Sequence, residues 1–170
     1  MDPSKLEREL EELHRSSFAW AVSCCRGDRQ EAEDVLQVAY LEVLSGRARF
    51  GGRSTLKTWL FAVIRKTAWA RARRRRLRRG LLSRWGGEGS SRAVETSGEQ
   101  RLERRRQAGA IREALHDLSP KQRQVLELVF YHGLTVREAA TAMGVSAGTA
   151  SLHYARGKAR LSRRIAVRHE

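Results

Sequence analysis

Five side chains recur at four-residue steps along one stretch of the chain: Lys57, Phe61, Arg65, Trp69 and Arg73. On a helix that spacing sets them on one ridge, so cationic and aromatic groups alternate along a single line. Cations hold a phosphate backbone and rings accept unstacked bases, which is the combination a single-stranded nucleic-acid site requires. The same pattern also suits a second hydrophobic contact followed by a solvated basic tail, because aromatic residues on helices are usually core. Charge favours an anionic partner: Ser45 to Arg79 contains 13 Lys and Arg and no Asp or Glu. Phe50 stands in the glycine-rich basic loop Gly46–Arg53, either as a stacking platform for a base or as an anchor that pins the loop to the core.

A second constellation lies near the C-terminus. Thr135-Val136-Arg137-Glu138 has the form of a capping box, Gly144 stops a short alanine-rich helix, and Ser146 opens a longer basic one. A short helix, a tight glycine-containing turn and a basic helix make a helix-turn-helix. In a major groove the start of the last helix, with Thr149, Ser151, Leu152 and His153, meets base edges, while Arg156, Lys158, Arg160, Arg163 and Arg164 meet phosphates. An ordinary helical hairpin with a solvated basic end is the plainer alternative.

The elements that must position these groups are helices throughout, so the expected fold is all-α: two small helical domains joined by a flexible linker, the second a helix-turn-helix. Leu6, Leu10, Leu13, Ser17, Trp20 and Cys24 form the inner stripe of a first helix ending near Gly27. Asp28 caps a second helix to about Leu44, whose core face is Ala32, Val35, Leu36, Ala39, Tyr40, Val43 and Leu44. Its other side carries Asp34, Gln37, Val38 and Leu41, a mixed patch that either docks another helix or touches the first one. Ser54 is the expected cap of the long third helix, with Leu56, Trp59, Leu60, Val63, Ile64, Thr67 and Ala68 as its buried stripe. Composition then shifts to Gly, Ser, Arg and Glu. Boundaries are accordingly placed at 1–79 for the first domain, 80–98 for the linker and 99–170 for the second. A helix through Leu102 to Asp117 and another from Pro120 to His132, opened by Ser119 and Gln122, complete the second domain.

The net charge of +15 is unevenly placed. Residues 1–44 hold 5 basic and 10 acidic groups, and the surplus of cations begins after them. That polarity suggests an acidic face for a protein and basic faces for DNA or RNA. Cys24 and Cys25 are adjacent and point about 100° apart on a helix, so they neither bridge nor share a metal and read as reduced residues of a cytoplasmic protein. The 5 histidines have no ligand spacing, and no nucleophile–base pair, nucleotide loop, secretion signal or membrane span is visible. No cofactor, metal or small-molecule substrate is expected, and an enzyme is disfavoured.

Taken together the chain resembles a sigma factor of the extracytoplasmic-function group, in the sigma-70 family, reduced to the domains called region 2 and region 4. The resemblance rests on AEDVLQ (Ala32 to Gln37), Phe50 followed by STLKTWLFAVIRK (Ser54 to Lys66) and the arginine run. In the second domain it rests on LSPKQRQVLEL (Leu118 to Leu128), GLTVREAATAMGVSAGT (Gly133 to Thr149) and ARGKARL (Ala155 to Leu161). It implies a non-catalytic subunit that binds core RNA polymerase and directs promoter-specific initiation, with Asp34, Gln37, Val38 and Leu41 on the clamp helices of the beta-prime subunit. Phe50, Arg53, Lys57, Phe61, Arg65, Lys66, Trp69 and Arg73 would then serve the minus-ten element and a flipped non-template base. Arg137, Ser146, Thr149, Ser151, Leu152, His153, Arg156, Lys158 and Arg160 would serve the minus-thirty-five duplex, with the same domain touching the beta flap. Such factors act in the cytoplasm and are commonly held inactive by an anti-sigma factor, often membrane-bound. Lys66 stands where an Asn is common, Ala70 where an acid is common, and Ser151 and His153 where Lys and Arg are common. From the residues alone, a stand-alone helix-turn-helix repressor or activator, dimeric on duplex DNA, is the alternative.

Overall fold

The computed structural model describes residues 3–83 and 118–166, and within them every regular element is a helix. The order is α1 (Pro3–Cys24), α2 (Arg29–Leu44), α3 (Leu56–Ser83), α4 (Pro120–Phe130), α5 (Val136–Met143) and α6 (Ala147–Ala166). The expected linker beyond Ser83 and the helix expected to end at Asp117 lie outside the described residues.

Helix α1 stops where Arg26 and Gly27 take φ of 59° and 91°, and the Gly27 N–H closes back on the Val22 carbonyl at 2.9 Å. Asp28 then accepts the Glu31 N–H at 3.0 Å and starts α2. The cap of α3 is Thr55, not Ser54. Thr55 Oγ1 accepts the Thr58 N–H at 3.2 Å, whereas the Ser54 hydroxyl donates to the Thr55 carbonyl. Helix α3 continues past residue 79 to Ser83, so the first four positions assigned to the linker are helical. Arginine is a good helix former, and its propensity outlasts the repulsion within the run.

In the second unit Ser119 with Gln122 and Thr135 with Glu138 both close complete capping boxes. Helix α4 ends at Phe130, two residues before the expected His132. Gly144 ends α5 with φ 60°, a left-handed conformation that glycine adopts at little cost. Ser146 caps α6 by accepting the Thr149 N–H at 3.1 Å. Gly157 makes a contact that helical periodicity does not reveal: a Cβ there would lie 2.9 Å from Leu126 Cδ1 and 3.3 Å from Gln122 Cβ, so α4 and α6 touch through its missing side chain.

Helices α1, α2 and α3 pack around Trp20, Val35, Leu36, Leu60 and Ile64, while α4, α5 and α6 pack around Val125, Leu128, Met143 and Ala150. Leu44, expected in the first core, is 51 % exposed at the last turn of α2, where it lines an open groove with Leu10 and His14 of α1. The two units are not apart. Helix α3 packs along α5, and the buried residues of both merge into one cluster.

Gly157→Ala is expected to destabilise the chain by about 1–3 kcal/mol, read as a lower denaturation midpoint, since the added carbon overpacks a closed contact. Thr135→Ala should cost about 1 kcal/mol through the lost cap. The Thr135 backbone N–H and then its hydroxyl hold the Glu138 carboxyl below the usual range. A depressed carboxylate stabilises above its unfolded value and loses that contribution as pH falls through the folded one. The wild-type advantage over Thr135→Ala should therefore shrink in acid.

Candidate nucleic-acid and polymerase interfaces

The cationic ridge of α3 does not face one environment. Phe61 is fully buried, which overturns its expected place on an open base-binding surface. Its ring stacks on Trp20 at 5.8 Å with 16° between planes, and His132 meets it edge-on at 4.8 Å. Lys57 and Arg65 are half-buried beside it. Further along, Lys66 is exposed and Trp69 is 63 % exposed, with the Arg73 guanidinium carbon 5.8 Å from the Trp69 ring centre. A cation held over an exposed indole is a stacking platform already flanked by positive charge. Phe50 is half-buried and meets Trp59 at 5.4 Å with a 55° tilt, so it anchors the loop from which exposed Arg53 projects.

The arginine run is partly neutralised, which sequence reasoning missed. Arg71 Nε donates to Glu31 Oε1 at 3.0 Å and its Nη2 to Asp34 Oδ2 at 2.9 Å, while Arg75 Nη1 lies 3.2 Å from Glu31 Oε2. Bonding to Glu31 is the main reason Arg71 holds its proton more tightly than usual. The available signal was the acidic first turn of α2, whose carboxylates complement both the helix dipole and the arginines across from them. Asp34 is thus engaged within the unit. Gln37 is exposed and Leu41 is 60 % exposed, whereas Val38 is half-buried; no described residue covers Leu41.

On the helix-turn-helix, Ser151, Leu152, Arg156, Lys158 and Arg160 are exposed along α6, and Arg137 is exposed at the start of α5. Thr149 and Ser146 share a hydrogen bond of 2.8 Å at the first turn, and His153 is half-buried with no hydrogen bond to its Nδ1. Phe130 and Tyr131, unassigned by sequence, are exposed at the end of α4, Phe130 stacking on Tyr154 at 6.0 Å. No group of metal-binding side chains occurs among the described residues. Both thiols are free, and burial first, then Glu31 and Asp28, pushes Cys25 up to about 11, which leaves it a poor nucleophile.

Comparison with known proteins agrees with this division. Residues 10–78 match sigma-70 region 2 and residues 108–161 match sigma-70, region 4. The chain is 30 % identical over 122 residues to the ECF RNA polymerase sigma factor SigX of Bacillus subtilis, covering 70 % of this chain and 62 % of SigX. It is 31 % identical over 137 residues to the ECF RNA polymerase sigma factor SigL of Mycobacterium tuberculosis, covering 76 % of this chain and 72 % of SigL. Among solved structures, the sigma factor RpoE in complex with the anti-sigma factor NepR from Bartonella quintana aligns with a TM-score of 0.71 at 25 % identity, over 96 % of this chain and 98 % of RpoE. The outward helix-turn-helix, the cationic α3 and the paired family matches lead to one assignment: the chain belongs to the extracytoplasmic-function sigma factors of the sigma-70 family, which are initiation factors rather than enzymes.

Proposed function

We propose that this chain binds core RNA polymerase and directs transcription initiation at a bipartite promoter, acting in the cytoplasm where polymerase and DNA meet. One observation carries the reading: Trp69 is 63 % exposed on α3, with the Arg73 guanidinium carbon 5.8 Å from its ring centre. An exposed indole flanked by cations offers a face on which an unpaired base can stack while its phosphate is neutralised. In this reading the second half of α3, with Lys66, Trp69, Arg73 and Arg53 of the preceding loop, captures the melted minus-ten strand. Phe61 is left out of that surface because it is interior. The exposed face of α6 reads the minus-thirty-five duplex.

Gln37 and Leu41, with Val38 at their edge, are the proposed contact to the beta-prime clamp, and the second unit is the proposed contact to the beta flap. Asp34 serves α3 through Arg71 as well as any partner. Opening a duplex costs roughly 1–2 kcal/mol per step, and stacking returns about 1–3 kcal/mol per captured base. Capture therefore biases melting but needs polymerase for alignment. An anti-sigma factor is a proposed partner because RpoE, alike in fold and sequence, is complexed with NepR.

Transcription in vitro with core polymerase on a random promoter library should return two spaced motifs; recovery of symmetric duplex sites without polymerase would favour the stand-alone repressor instead. Gln37→Ala with Leu41→Ala should reduce capture of core polymerase about tenfold without altering the fold. Trp69→Ala should lower transcription from closed duplex about tenfold, the worth of one stacking contact, and much less from a pre-melted bubble. Equal loss on both templates would argue against base capture.

A further inference from the structure

We propose that Glu31, with Asp34 beside it, withholds Arg71 and Arg75 from phosphate and so limits how tightly α3 binds nucleic acid of any sequence. This rests on the reading of α3 as a nucleic-acid surface and adds what restrains it. Ser45 to Arg79 holds no Asp or Glu, so any counter-charge for the arginine run has to come from another element. It comes from the start of α2, 40 and 37 positions earlier in the chain. Glu31 Oε1 accepts Arg71 Nε at 3.0 Å and Glu31 Oε2 lies 3.2 Å from Arg75 Nη1, so each oxygen serves a different arginine. Asp34 Oδ2 accepts Arg71 Nη2 at 2.9 Å, which leaves the Arg71 guanidinium forked between two carboxylates.

The pairs fall on one side of the helix. At about 100° per residue, Arg75 lies about 40° around the axis from Arg71, while Trp69, Arg73 and Arg76 lie about 140–160° away. The carboxylates therefore occupy cations remote from the exposed indole, and among the described residues none of the ion pairs involves Arg73, Arg74, Arg76 or Arg78. Joining α2 to α3 is the plainer role for such pairs. An apolar contact would join the helices without taking a carboxylate out of water, and the Glu31 side chain is only 9 % exposed. The two roles differ in one consequence: losing a joint weakens nucleic-acid binding, whereas losing a restraint strengthens it.

Counterion release sets the size of the effect. Each phosphate that a cation neutralises on a single strand changes the slope of log K against log salt by about −0.7, which at 0.1 M salt is about fivefold in affinity whatever the sequence. For a subunit that must meet its enzyme before its site, every such contact holds it on bulk nucleic acid instead. Arg75 is exposed and Arg71 half-buried, so both stand near enough to solvent to add contacts of this kind once released. Asp34 is 46 % exposed and open to sharing with a partner, whereas Glu31 is enclosed and is the permanent part of the restraint.

The test measures binding of the full chain, without polymerase, to a random-sequence single-stranded DNA pool by fluorescence anisotropy over a range of salt concentrations. Glu31→Gln should bind about fivefold more tightly at 0.1 M salt, with a slope steeper by about 0.7, because Arg75 is released. Glu31→Gln with Arg75→Gln breaks the same pair but releases no cation at position 75, and should return to the wild-type slope. Equal or weaker binding by Glu31→Gln, or a double variant as steep as the single one, would overturn the restraint. Arg75→Gln alone keeps the Arg71 bond to Glu31 and tests the same point in a chain whose buried carboxylate stays paired. Its slope should match wild type, whereas Arg73→Gln should flatten the slope by about 0.7; equal flattening by both would also overturn the restraint. If Arg73→Gln changes nothing, the reading of α3 as a nucleic-acid surface is what falls, whatever Glu31 does.

Discussion

Trp20 reaches across from α1 with its indole N–H on the Phe61 carbonyl at 3.0 Å, and its ring lies nearly parallel to the Phe61 ring. Both side chains are wholly out of water. Truncating a residue so placed costs about 3–5 kcal/mol, a large part of what holds a unit of this size together. Because it pins α3 in rotation as well as position, the pair decides what the rest of that helix shows to solvent. Each four-residue step advances about 40° around the axis, so from an inward Phe61 the ridge has turned about 80° by Trp69 and about 120° by Arg73. One row of side chains therefore begins in the core at Phe61, passes Gly144 of α5 at Arg65 and ends in solvent at Trp69 and Arg73.

Charge supports the same geometry. Helix α3 has to keep a dense row of arginines beside a protein surface, and like charges at such spacing oppose the helix. Glu31, nearly buried, takes Arg71 and Arg75 together, and Asp34 takes the other arm of Arg71. Removing a carboxylate from water is costly unless its oxygens are occupied, and two guanidinium groups occupy them here. The clamp fixes the middle of α3 against α2 and leaves Arg73, Arg74 and Arg76 exposed. The proposed polymerase contact at Gln37 and Leu41 lies on the helix that bears these ion pairs, so docking on α2 would bear mechanically on the helix proposed to hold DNA.

The features legible in the sequence were those settled within a few residues. Both capping boxes, the Asp28 cap and the glycine stop at 144 are local hydrogen-bond arithmetic, and each stands where the spacing put it. The buried stripes of α1 and α3 were readable because a repeat near 3.6 residues is a property of one helix. What escaped was set by distant partners. Whether Ser54 or Thr55 caps α3 turns on a one-residue choice that both hydroxyls could satisfy. Leu44 looked interior because periodicity does not say how much of a helix's last turn its neighbours cover. Phe61 and Trp69 have equal claims on a helical wheel drawn at four-residue steps, and only Trp20 and His132, 41 and 71 positions away along the chain, separate them. The same holds for Gly157, whose role exists only opposite Leu126.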